Sequence, residues 1–445
     1  MLESLFTFLY KIDELFWGYF AFTLIALVGL FFTLHSSFFQ IRALPHIFKI
    51  FYSFVGKSAA VEKKGVHPLR VFFASVGGMI GVGNLVGIVT AIQLGGPGAL
   101  IWVWFAGMVG AIVKYCETYL GLKYRIPNKE GGFDGGPMYF LAKAFRFSWI
   151  PALVAFLLCI YGIEIYQFST ITETISTNWN LNRIMVACLL LGLVFYAGLG
   201  GIRRIGRICS WLMPFFITFY LAMGMWVILK EFNHFLPTLQ LAFKSAFTGH
   251  AALGGFAGST MMLALRHGIA RAAYSADIGV GYDSIIHSES STVQPEKQAG
   301  LAVLGVFVDN LICTFSILVV LLSGVWLGAP VQGSELIQTA FDTYFPYMKY
   351  FIPVLLFLTG YTTTVAYFVI GIKCARFLAP KWGKACYLIY GMCAFMVFSF
   401  IPQNKAQLIM SIAQSILLII NLIGIFRLRK EIQFITNNKI VLENA

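Results

Sequence analysis

Between residues 71 and 94 an apolar run carries Gly77, Gly78, Gly81 and Gly83 near its middle, then Asn84, with Gly87 one turn on. An interior glycine destabilises a helix by about 1 kcal/mol relative to alanine, so this density predicts unwound backbone. Inside a bilayer such backbone is tolerated only where it is buried in protein or lines a cavity. Its free N–H groups and the positive ends of the flanking half-helices suit a carboxylate, and its free carbonyls suit a small cation. Close packing of helices through small residues is the competing use of the same glycines. Far downstream, Gly254, Gly255 and Gly258 interrupt a second apolar run. Thr359, Thr362 and Thr363 stand at i, i+3 and i+4 on one helical face, where their hydroxyls could join a cation site or bond their own helix.

Acidic residues within apolar runs are expensive and point to function or to a specific partner. Glu117 follows Lys114 by three residues, the spacing of an intrahelical pair. Asp309 and Asn310 suit interhelical hydrogen bonding or cation coordination. Glu164 lies one turn before Gln167 and could face the same cavity. Ionised, it would attract a second cation or a substrate ammonium, and neutral it would serve as a proton carrier.

Long apolar helices must hold these residues. The 445-residue chain is 59% hydrophobic and 11% charged, with mean hydropathy +0.80, whereas a soluble domain carries about 25% charge. That excludes soluble, disulfide-framework and disordered classes, and apolar runs of about twenty residues exclude a porin-like barrel. The prediction is an all-α polytopic membrane protein with eleven spans: 16–34, 71–94, 100–120, 150–171, 184–199, 210–229, 251–270, 301–327, 351–372, 385–401 and 408–426. With the N-terminus outside and the C-terminus inside, 25 of the 32 basic residues fall on the inner side, Arg266 and Arg271 among them. The net charge of +13 therefore reads as topology and not as a nucleic-acid footprint. Residues 1–34 form a true span rather than a cleaved signal, since Glu3 replaces a basic leader and no small-residue cleavage pattern follows. Residues 35–69 are an inner segment, either an interfacial amphipathic helix or a helix packed on the bundle. The two glycine-interrupted spans open two halves, 70–230 and 250–427, and five spans per half invert the second relative to the first; 428–445 is a cytoplasmic tail. The eight cysteines lack CxxC spacing, so neither disulfide nor metal cluster is expected, and no P-loop, HExxH or GxSxG element suggests an enzyme.

The run Gly81-Val-Gly-Asn-Leu-Val-Gly, continuing through Gly95-Gly-Pro-Gly98 to Trp102, Trp104, Glu117 and Tyr124-Arg125, resembles the hallmark of the alanine or glycine:cation symporters. Phe39-Gln-Ile-Arg42, Gly135-Gly-Pro137, Gln167 and residues 271–281 resemble further landmarks, and the likeness covers nearly the whole chain. The resemblance implies a leucine-transporter-type 5+5 inverted repeat with one extra N-terminal helix. It implies a sodium-coupled carrier in a prokaryotic cell membrane that imports a small zwitterionic amino acid by alternating access, with lipid around it, sodium as coupling ion and no organic cofactor. By similarity, Gly81, Val82, Gly83, Asn84 and Gln167, with Gly255 and Gly258 of the second interrupted span, would hold substrate. Carbonyls of Gly77 and Ile80 with Thr359, Thr362 and Thr363 would hold sodium. The chain departs from the family pattern at Arg70 in place of Gln, Met79 in place of Thr, Ala276 in place of Asn and Asp277 in place of Glu. Proton coupling through Glu164 and a non-transporting solute sensor on the same fold are the alternatives, and the substrate stays open among alanine, glycine, serine, glutamine or a D-isomer.

Overall fold

The computed structural model describes residues 2–55, 64–248, 261–328 and 334–434. Helix α1 (Ser4–His35) passes through a π-helical turn at Phe16–Ala21 and leads, through a short helical turn at Phe39–Arg42, into α2 (Leu44–Val55). Next come α3 (Pro68–Met79), α4 (Gly83–Gly95) and α5 (Ala99–Lys123), then the paired strands β1 (Ile126–Pro127) and β2 (Phe133–Asp134). They are followed by α6 (Pro137–Ala144), α7 (Trp149–Tyr161), α8 (Ile165–Trp179), α9 (Arg183–Gly198), α10 (Gly201–Lys230) and α11 (Phe232–Thr248). The rest comprises α12 (Met261–Ser275), α13 (Tyr282–Ser288), α14 (Pro295–Ser323), α15 (Ser334–Asp342), α16 (Met348–Leu378), α17 (Gly383–Phe398) and α18 (Gln403–Arg427). Local chemistry sets several starts. Pro68 and Pro295 occupy first-turn positions, and Asn182 Oδ1 accepts the Ile184 and Met185 N–H groups at the head of α9. His67 Nδ1 accepts the Leu69 N–H at the head of α3, and burial with nearby Arg70 holds this imidazole below its usual range, so it remains an acceptor.

Seven helical stretches among the described residues are long and apolar enough to cross a membrane, and the pair α3–α4, bent by 45°, makes an eighth. The structure departs from the sequence expectation at four places. Run 150–171 is divided: α7 stops at Tyr161, Glu164 adopts a left-handed backbone (φ 50°), and α8 starts at Ile165. The run expected to end at 270 continues to Ser275, breaks over residues 276–281 with Asp277, Gly279 and Gly281 at positive φ, and resumes as α13. Gly254, Gly255 and Gly258 lie outside the described residues. Because that break falls so late, Arg266 and Arg271 belong to the half of the helix that packs near the start of α1, where Arg266 approaches Glu14 (3.8 Å) and covers the Tyr19 ring. They are thus on the side opposite the basic clusters, which retain 23 of the 32 basic residues. Lys114 does not pair within its own helix: its ammonium lies 3.0 Å from Asp283 on α13, both fully buried, and Ser75 donates to the same carboxylate (2.6 Å). Helix α2 buries Ile47, Ile50 and Phe54 while leaving Phe48, Tyr52 and Val55 exposed, so it is packed on the bundle and apolar outside as well.

At the centre, α5 runs along α14 and α12, and α16 lies against α3, α7, α8 and α10. Tyr282 of α13 seats directly on Gly78, where an added Cβ would lie 1.5 Å from its hydroxyl, and that hydroxyl donates to the Ala74 carbonyl (3.2 Å). Glycine here is a requirement of close approach.

Candidate functional site

Three backbone breaks meet inside the bundle: residues 80–82 between α3 and α4, residues 162–164 between α7 and α8, and residues 276–281 between α12 and α13. They surround a cavity of about 10 Å³, lined by Gly83, Glu164, Gln167, Tyr274 and Asp277 among others, which is room for about one water.

At the first break the orphaned donors are satisfied by side-chain amides. The Gly81 N–H donates to Asn84 Oδ1 (3.0 Å) and the Val82 N–H donates to Gln167 Oε1 (2.7 Å). The Gln167 and Glu164 side chains lie side by side in the wall of the cavity. Asn84 points away from the cavity, donating to Asp309 Oδ1 (2.5 Å), which also accepts from Ser275 Oγ (3.0 Å). Asp309 is therefore tied to both the first and third breaks by buried hydrogen bonds. At the third break Asp277 accepts from Tyr161 Oη (2.9 Å), joining it to the end of α7.

On α16 the threonines part company. Thr363 Oγ1 lies 3.2 Å from the Gly77 carbonyl, 3.4 Å from the Ile80 carbonyl and 3.1 Å from the Thr359 carbonyl, an oxygen cluster drawn from two helices. Oxygen ligands in such number suit a hard cation. The Thr359 and Thr362 hydroxyls bond carbonyls of their own helix instead. Of the residues picked out in sequence, the structure thus places Gly77, Ile80 and Thr363 together, and Gly83 and Gln167 at the cavity. Sequence reasoning missed Tyr161, Tyr274, Ser275 and the role of Asp277. The available signal was Gly279 and Gly281 beside an acidic residue that has apolar neighbours on both sides.

The two ends of the bundle differ. Towards the start of α1 a cavity of about 320 Å³ is lined by Asp13, Glu14, Trp17, Arg266, Arg271 and Tyr274. Tyr274 lines both this basin and the central cavity. At the other end Lys373 binds Glu289 (2.5 Å) and Asp134 (2.9 Å), and Arg376 binds Glu130 (2.7 Å). Arg125 donates to the carbonyls of Ser288 (3.2 Å), Ser290 (2.5 Å) and Thr292 (2.9 Å) beside the Phe133 ring. Sequence-distant segments are stitched together across this face.

The sodium:alanine symporter family model matches residues 2–438. The chain is 32% identical over 386 residues to the uncharacterized transporter YflA of Bacillus subtilis (strain 168), covering 85% of this chain and 81% of that protein. It is 28% identical over 437 residues to the sodium/alanine symporter AgcS of Methanococcus maripaludis, covering 94% and 93%. Among solved structures it is similar to Mhp1, a nucleobase-cation-symport-1 family transporter in a closed conformation with bromovinylhydantoin bound (TM-score 0.51, 14% identity, 79% of this chain and 76% of that one). Its structural neighbours are transporters of leucine-transporter-like fold. Since the family match takes in all three breaks and both ends of the bundle, the chain belongs to the sodium:alanine symporter family, whose members are membrane transporters and not enzymes.

Proposed function

We propose that this protein is a sodium-coupled symporter that imports a small zwitterionic amino acid by alternating access. The observation that carries the reading is the first break, where Thr363 of α16 closes an oxygen cluster on the Gly77 and Ile80 carbonyls, next to the Val82 N–H at the cavity edge. Gly77, Ile80 and Thr363 are the sodium ligands of this reading. Gly81, Val82 and Gly83 receive the substrate carboxylate at the head of α4, Gln167 faces the substrate, and Asn84 positions the break through Asp309. Sodium bound to the carbonyls fixes the same backbone whose N–H groups meet the carboxylate, so each ligand orders the site for the other. The architecture in this reading is eleven spans, with two inverted five-helix repeats, 70–230 and 250–427, after an extra first span. The N-terminus is outside, the C-terminus inside, and the membrane is that of a prokaryotic cell. The family and a relative bearing the name sodium/alanine symporter support the ion and the substrate class.

The test is uptake of labelled alanine, glycine and glutamine into proteoliposomes under an inward sodium gradient, an inward proton gradient, or neither. Accumulation above equilibrium with sodium alone is expected. Accumulation driven by the proton gradient without sodium would overturn the coupling, and binding without flux under any gradient would leave a sensor.

A further inference from the structure

The central cavity takes its polarity from carboxyls, an amide and hydroxyls, and among the described residues no lysine, arginine or histidine lines it. Asp277 already has a partner in Tyr161. Glu164 is not satisfied: beside Gln167 in the cavity wall, its Oε2 is buried without a hydrogen-bond partner among the described residues, on a residue that is 2% exposed. Its left-handed backbone at the second break turns it out of the α7–α8 line and into the cavity wall. An unpaired carboxyl oxygen in a dry site is costly, and a donor carrying positive charge is the partner that would satisfy it best.

The same cluster indicates what that donor is. The Gln167 carboxamide is placed between the two groups: its oxygen accepts the Val82 N–H (2.7 Å), and it stands beside Glu164 in the cavity wall. A backbone donor at the break and a carboxyl oxygen lacking a partner, both within reach of Gln167, are the complements of the carboxylate and the ammonium that an α-amino acid presents. We infer that Glu164 is the receptor for the substrate's α-ammonium, and that Gln167 holds the place of the zwitterion until the substrate displaces it. This rests on the amino-acid reading above and adds the group that selects a free amine. On binding, the carboxylate takes over the Val82 N–H and the ammonium meets Glu164 at Oε2. Both contacts have a charged partner, and charge-assisted bonds are the stronger. The small present volume follows, because the substrate enters as Gln167 swings out. A solute lacking the ammonium would leave Glu164 Oε2 unpaired, so simple carboxylates are excluded by the same residue.

The experiment uses the full-length protein in lipid nanodiscs with sodium, measuring binding of labelled alanine to the wild type, Glu164→Gln and Glu164→Asp, with propionate as competitor. Loss of the charge should weaken alanine binding by about ten- to a hundredfold in Glu164→Gln, with much of it retained in Glu164→Asp. Propionate, the same carbon skeleton without the amine, should fail to compete in the wild type. A sodium-dependent rise in melting temperature serves as the check that each variant is folded. Unchanged alanine affinity in folded Glu164→Gln overturns the inference while leaving the symporter reading intact. Propionate competing as well as alanine overturns it on the wild type alone, whatever the variants do. Wild-type protein that binds none of alanine, glycine and glutamine takes down the amino-acid reading, and this inference with it.

Discussion

Thr363 and Thr362 are adjacent and chemically identical, yet only one reaches the first break. Thr363 Oγ1 lies near the Gly77 and Ile80 carbonyls, and Thr362 Oγ1 is spent on Leu358 and Thr359 of its own helix. If sodium sits in that oxygen cluster, Thr363→Ala removes a direct ligand and lowers sodium affinity by about tenfold, the worth of a bond to a charged group. Thr362→Ala should change it less than about twofold. The check is the sodium dependence of alanine binding or uptake, and equal sensitivity of the two variants would move the ion elsewhere. Asn84 makes a different prediction. Its side chain accepts from Gly81 and donates to Asp309, so Asn84→Ala leaves the buried Gly81 N–H unpaired, with Asp309 keeping only Ser275 on that oxygen, and destabilises the fold by about 1–3 kcal/mol. A thermal melt without ligand reads this directly, and an unchanged melt would mean that the break is held by something else.

At the scale of elements, the sites of close approach matter more than helix propensity. Gly78→Ala would drive a methyl into the Tyr282 hydroxyl and ring, an overpacking worth about 1–3 kcal/mol of lost stability. Gly87→Ala has open space around it and should be neutral; a melt comparing the two separates packing from propensity. The end of the chain offers a pH test. Glu431 bonds the Tyr124 hydroxyl and Lys123 (3.0 Å), and these hydrogen bonds hold its carboxyl below the usual range. A carboxyl depressed on folding contributes above its ordinary value of about 4.3 and loses that contribution as pH falls through the lower folded value. Hydrogen exchange in residues 428–434 should therefore quicken at acidic pH in the wild type, and Glu431→Gln should show the fast rate already at neutral pH. Much of the element pattern was legible in the sequence, because a run of apolar residues states where a membrane helix is and a glycine cluster such as 77–83 states where it fails. The breaks at 162–164 and 276–281 were harder to see. Each carries an acidic residue in a left-handed backbone, Glu164 and Asp277, and Asp277 meets its partner Tyr161 only through the fold. Tyr161 and Asp277 are far apart in sequence, so spacing gave no sign of their contact, whereas Glu164 and Gln167, one turn apart, were legible as neighbours even though the break between their helices was not. Arg266 and Arg271 misled for the same reason: a late break shifts a helix end, and with it the side on which a charge emerges.

The molecule as a whole is closed unequally. One end carries the lattice of Arg125, Lys373 and Arg376 with Glu130, Asp134 and Glu289. The Lys373–Glu289 pair is mostly shielded, with 13% and 11% of the side chains exposed, and removing one member of a buried pair destabilises by about 3–5 kcal/mol. Lys373→Met should therefore loosen this face, raising hydrogen exchange across residues 133–136 and 285–292 while residues near Tyr274 stay protected. Uniform loss of protection would instead mean global unfolding. At the opposite end, among the described residues, Tyr274 is the one side chain shared by the basin and the central cavity. That inequality has an electrical meaning. A membrane potential falls mainly across the least hydrated layer, here the packed protein between the central cavity and the charged lattice and not the wide basin. In the symporter proposed above, a cation arriving past Tyr274 would cross little of the field, and one leaving past Lys373 would cross most of it, at about 2.3 kcal/mol per charge per 100 mV. Voltage should accordingly govern release and turnover while leaving apparent sodium affinity from the Tyr274 side almost unchanged, a separation that currents recorded at several potentials would reveal.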